Sequence, residues 1–164
     1  MSLDVRLLLP VDAIAALRSF GRRWRAALLP LPDDDEAEER CHRLGPDGRS
    51  AVDLANDTVA TLASLSRVVD DLVHSDHPVV LAALMDPAAR HFDGVTVDDV
   101  AEVLDLLDAE ATALADRAAR LARDDWSRAG PLSGGGGPGT VLDVVREAVR
   151  TASDDLRAAA RALG

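Results

Sequence analysis

The chain has 164 residues, 48% hydrophobic and 29% charged, and its 29 acidic against 18 basic side chains leave a formal charge of −11. At this length roughly two-thirds of the unfolded surface is buried on folding, so a single domain over residues 1–164 needs no disulfide, metal staple or structural cofactor. The negative balance opposes a phosphate backbone, no basic stripe offsets it, and no 18-residue apolar run reads as a bilayer span; nucleic-acid and membrane partners are therefore not expected, and a cytoplasmic protein is.

Every basic residue is arginine; lysine, tyrosine and glutamine are absent, and isoleucine and asparagine occur once each. That bias follows GC-rich codons rather than function. From Pro10 to Leu29 the positions Ile14, Leu17, Gly21, Trp24 and Leu28 repeat at steps of three and four, one seam of a first helix with Pro10 in its first turn. Arg22, Arg23 and Arg25 complement its negative end. Leu31 to Ser50 carries prolines, the acid run Asp33-Asp34-Asp35-Glu36 and Gly45-Pro46-Asp47-Gly48, and reads as a long solvated loop. Within it the lone Cys41, in charged surroundings, has no partner for an internal disulfide.

Ser50 suits the N-cap of a second helix, with Asp53 three residues on as a loose capping box. Two adjacent apolar seams follow, Val52, Ala55, Val59, Leu62, Val69, Val73 and Ala51, Leu54, Thr58, Leu65, Val68, Leu72, a face wide enough for two neighbours. The helix fades near His74-Ser75-Asp76-His77-Pro78, and one short turn is expected around Val79 to Met85. Thr96 is expected to cap a third helix with Asp98 and Asp99 in its first turn. Val97, Val100, Leu104, Leu107, Ala111, Leu114, Ala118 and Leu121 form its heptad pattern. The connection Asp124 to Gly139 ends in the glycine tract Gly134 to Gly137. That tract lacks the lysine, the hydroxyl partner and the preceding strand of a phosphate cradle. Thr140 caps a fourth helix, with Val141, Val144, Val145, Ala148, Ala152, Leu156, Ala159 and Leu163 inward and Arg146, Arg150, Arg157 and Arg161 on the far side.

Four amphipathic helices, and nothing that alternates like a strand, predict an all-α four-helix bundle. The connections are long for an up-down bundle. That between the second and third helices reaches up to about 66 Å extended against about 37 Å for a 25-residue helix, so an up-down-down-up course with crossovers is expected.

Gly45-Pro46-Asp47-Gly48-Arg49-Ser50-Ala51-Val52-Asp53-Leu54 resembles the loop entering helix 2 of the DinB/YfiT-like superfamily. Asp124-Asp125-Trp126-Ser127-Arg128 and Thr140-Val141-Leu142-Asp143-Val144-Val145 resemble that family's end of helix 3 and start of helix 4, so the likeness runs over most of the chain. The resemblance implies an up-down-down-up bundle. In many members a divalent metal sits on three histidines, and some members are thiol transferases or isomerases, including mycothiol-dependent maleylpyruvate isomerase. By offset from the helix entries, the ligand positions fall on Asp57, Thr151 and Asp155, and the tryptophan of the helix 2 entry falls on Arg49.

None of the three is histidine, and a borderline divalent metal wants neutral imidazole or thiolate donors. A hard cation wants about six oxygens, most of which water would have to supply. On a helical wheel Asp57 lies about 120° and Asp155 about 80° from the centre of its apolar face, where carboxylates meet water or arginine. No metal and no cofactor is therefore expected, and Asp57, Thr151 and Asp155 are candidate ligand-binding residues. His74 and His77, with Asp76 between them, have a spacing compatible with shared coordination, although a helix C-terminus favours histidine anyway. Cys41-His42 and His91-x-Asp93 lack further donors, and no Ser/His/Asp set assembles. The functional expectation is a DinB-like bundle that binds a small molecule or acts as a scaffold. The alternatives are a mycothiol-type thiol-dependent transferase or isomerase, and a homodimeric interaction module joined through the wide apolar faces.

Overall fold

The computed structural model describes residues 4–30, 35–75, 94, 96–132 and 137–164. It is mostly helical, with a small two-stranded ribbon. The helices are α1 (Pro10–Leu28), α2 (Asp35–His42), α3 (Ala51–His74), α4 (Val100–Ala119) and α5 (Val141–Ala162). Single 3-10 turns span Val5–Leu7 and Arg123–Ser127, and the strands are β1 (Ala129–Pro131) and β2 (Pro138–Thr140). Among the described residues no helix is long and apolar enough to cross a membrane.

Local chemistry sets the helix ends. Pro10 opens α1, where its missing N–H has no partner to lose. Ser50 and Asp53 close a reciprocal capping box at α3, and Thr140 and Asp143 do the same at α5; each such cap stabilises its helix by about 1 kcal/mol. The seam of α1 is buried through Leu17, Gly21, Trp24 and Leu28, joined by Ala13 and Phe20, while Ile14 is only partly covered. At Gly21 the helix comes so close to α4 that an added Cβ would lie 1.8 Å from an Asp108 carboxylate oxygen.

The wide face of α3 has the two neighbours its pattern called for. It packs on α4 and α5, and α1 packs on the same pair. Side-chain bonds give the relative courses. Arg18 meets Asp116 and Arg25 meets Asp105, so α1 and α4 are antiparallel. Asn56 bonds Val97 at one end, and Arg117 meets Ser66 and Asp70 at the other, so α3 and α4 run parallel. Thr58 bonds Asp155, and Gly45, just ahead of α3, abuts Ala162 at the end of α5, so α3 and α5 are antiparallel.

Four expectations need correction. The stretch expected as a solvated loop contains α2, held down by Ala37 and Cys41, one helical turn apart and both buried. The Cys41 thiol donates to the Leu28 carbonyl at 3.5 Å, and desolvation pushes its pKa up to about 11. Thr96 does not cap the third long helix. Asp99 does, accepting from the Glu102 N–H, because the Asn56 side-chain amide holds both the N–H and the carbonyl of Val97 and keeps that residue out of the first turn. The chain has strands after all: Ala129, Gly130 and Pro131 pair antiparallel with Thr140, Gly139 and Pro138, a backbone ribbon with no side-chain alternation to announce it. Arg146, assigned to the far side of the fourth helix, is half-buried and donates twice to the Leu8 carbonyl, at 3.0 and 2.7 Å. The turn expected around Val79 to Met85 and glycines 134–136 lie outside the described residues.

Candidate functional site

The site lies between the first half of α3 and the second half of α5. A turn feeds it: the Gly48 N–H donates to the Gly45 carbonyl and Gly45 N–H to the Arg49 carbonyl. Gly48 takes a φ of 76°, which favours glycine. An added Cβ at Gly45 would meet the Ala162 Cβ at 2.7 Å, so a residue without a side chain lets this turn seat against the end of α5. Arg49 is thereby delivered to the cleft, one residue before the Ser50 cap.

The three positions that the family resemblance implies come together. Asp57, Thr151 and Asp155 line one cleft of about 420 Å³, with Arg49, Ala60, Thr61, Arg150 and Asp154 completing its wall. Asp57 is exposed and ion-paired with the Arg49 guanidinium. The Thr151 hydroxyl lies 3.3 Å from a Glu147 carboxylate oxygen. Asp155 is half-buried, and its Oδ2 accepts from the Thr58 hydroxyl at 3.0 Å. Desolvation, only partly opposed by the Thr58 hydrogen bond and by Arg49, pushes the Asp155 carboxyl up to about 6. Thr58 Oγ1 is also 3.0 Å from the Leu54 carbonyl. A hydroxyl has one proton to give, so the ionised Asp155 and the helix carbonyl compete for it; once protonated, Asp155 can donate to Thr58 while Thr58 donates to Leu54.

The far wall is an ion-pair ladder along α5. Arg150 bonds both Glu147 oxygens, at 2.8 and 2.6 Å, and Asp154 at 3.0 Å, and Asp154 also receives Arg157 at 2.7 Å. The i, i+3 and i, i+4 spacing of these residues would have disclosed the ladder in the sequence. Arg150 is exposed on the polar side of the helix, as expected, and from there it also lines the cleft. Thr58, counted in the sequence as an apolar-seam residue, is the direct hydrogen-bond partner of Asp155.

The donor set fits a divalent metal poorly. Asp57 already neutralises a guanidinium, Thr151 offers a hydroxyl, and Asp155 prefers to keep its proton to about pH 6. Among the described residues there is no group of three or more His, Cys, Asp or Glu side chains disposed to hold a metal ion. His74 ends α3 with Nδ1 3.0 Å from the Asp70 carbonyl, beside a second cleft of about 380 Å³ that Arg117 and Arg120 also line. Asp76, His77, His91 and Asp93 lie outside the described residues, and His42 sits exposed at the end of α2 beside the buried Cys41. Comparison with protein-family models, curated proteins and solved structures finds no match to the chain.

Proposed function

We propose that this chain is a DinB-like four-helix bundle, running up-down-down-up, that binds a small molecule in the cleft between α3 and α5 without a divalent metal. The carrying observation is the convergence of Asp57, Thr151 and Asp155 on one cleft of about 420 Å³, within the range of small-ligand sites. The parallel course of α3 and α4 and the antiparallel courses of α1 with α4 and α3 with α5 support the topology. In this reading Arg49 supplies, from the protein itself, the positive charge at the Asp57 end of the cleft.

The experiment has two arms. Elemental analysis of purified protein, followed by titration with zinc, nickel and manganese, is expected to show no stoichiometric metal; tight binding that disappears in Asp57→Ala and Asp155→Ala sinks the metal-free reading. A fragment screen by protein-observed NMR is expected to shift resonances of Ala60, Thr61 and Thr151 first. A chemically diverse set that leaves them unmoved removes the small-molecule reading and leaves a scaffold.

A further inference from the structure

We infer that the α3/α5 cleft selects a small organic cation, a primary alkylammonium, with Asp155 as its counter-charge; this rests on the cleft being a small-molecule site. The charges around the cleft do not balance. Arg49, Arg150 and Arg157 supply three cations, and Asp57, Glu147, Asp154 and Asp155 four carboxylates. Asp57 pairs with Arg49, Glu147 with Arg150, and Asp154 with both Arg150 and Arg157. Among the described residues Asp155 alone of the four has no cation within ion-pair distance, and its Oδ2 accepts from the Thr58 hydroxyl. The excess negative charge therefore sits on a half-buried carboxylate that lines the cleft, its Oδ1 without a hydrogen-bond partner among the described residues.

The chemistry of the occupant follows. An anion would enter beside Asp155 with both lining arginines already engaged, and a neutral molecule would desolvate the carboxylate further without compensating it. A metal ion would need several close donors, and the neighbouring carboxylates are held by guanidinium groups. An ammonium head brings three N–H donors in a compact form. Asp155 and Thr151, both lining the cleft and one helical turn apart, carry acceptor oxygens for it, and Ala60 offers its alkyl chain an apolar contact. Charge-assisted N–H···O bonds of this kind are the stronger class of hydrogen bond.

The test uses the full chain at pH 7.5 and three probes of similar size and different charge: n-butylammonium, n-butanol and pentanoate. In ¹H–¹⁵N spectra, butylammonium is expected to shift Ala60, Thr151 and Asp155 saturably, with at least about tenfold tighter binding than the other two, the equivalent of one charge-assisted hydrogen bond. Asp155→Asn, which keeps the shape and removes the charge, is expected to abolish the preference, while Asp105→Asn on α4 leaves it intact. Butanol or pentanoate binding as well as butylammonium, or a preference that survives Asp155→Asn, overturns the cation assignment and leaves the cleft a ligand site. If none of the three probes, nor any fragment of the wider screen, moves these resonances, the small-molecule reading falls with it. The wild-type series decides the matter alone should the variant not fold.

Discussion

Asp155→Asn is expected to make the protein more stable at neutral pH, although it removes a hydrogen-bonded acid from a half-buried position. The carboxyl titrates near 6 when folded against 3.8 for an unperturbed aspartate, because burial disfavours its charge. Between those values the folded chain binds more protons than the unfolded one, so this group's contribution to stability falls as pH rises through the window and is lowest above pH 6. At about 1.4 kcal/mol per unit, a gap of roughly two units sets a ceiling near 3 kcal/mol; water entering through the cleft brings the expected gain to about 1–2 kcal/mol. Asparagine is isosteric, and its carbonyl still accepts from Thr58. Urea unfolding followed by circular dichroism at pH 4, 5, 6 and 7.5 should show the variant ahead at pH 7.5 and converging with wild type near pH 4. A variant less stable than wild type at pH 7.5, or a gap independent of pH, refutes the burial argument.

Asp53→Ala should behave oppositely. The Asp53 carboxylate is held below its usual range chiefly by the Ser50 backbone N–H, so its contribution is present above pH 4 and lost on acidification; the variant should lose about 1 kcal/mol at pH 7 and progressively less below pH 4. Asn56→Ala frees both backbone groups of Val97 and should cost about 1–3 kcal/mol, with hydrogen exchange accelerated at Val97 specifically. Gly21→Ala forces a methyl against Asp108, whose Cβ would lie 2.7 Å away, and should cost about 1–3 kcal/mol by thermal unfolding despite alanine's better helix propensity. Cys41 should resist a disulfide reagent at pH 8 in the folded protein and react fully in urea, since its thiol is buried and titrates near 11.

The parts of this fold legible in the sequence are those decided within a helical turn. The caps at Ser50 and Thr140, the Pro10 start and the double seam of α3 all follow from residues three or four apart. What escaped depends on distant partners. The start of α4 is set by Asn56, 41 residues before Val97, and the role of Arg146 by a carbonyl 138 residues away. In α2 a seam of only Ala37 and Cys41 is swamped by acidic neighbours, and the ribbon is written in backbone pairing that glycine and proline do not signal. The site divides in the same way. Asp57, Thr151 and Asp155, which line one cleft, were named only through the family resemblance carried over from the helix entries, whereas the link from Thr58 to Asp155 needed the packing of α5 on α3, which no local pattern contains.

The pairing of the long helices has a kinetic consequence. Each of α1 and α3 packs mainly on α4 and α5, not on the other. No main helix pair is therefore joined by a short hairpin that could zip up early, and even the α3/α4 pair must first close a connection of residues 75–99. Loop-closure entropy is spent before these contacts reward it, so the chain should refold more slowly than up-and-down helical proteins of its size.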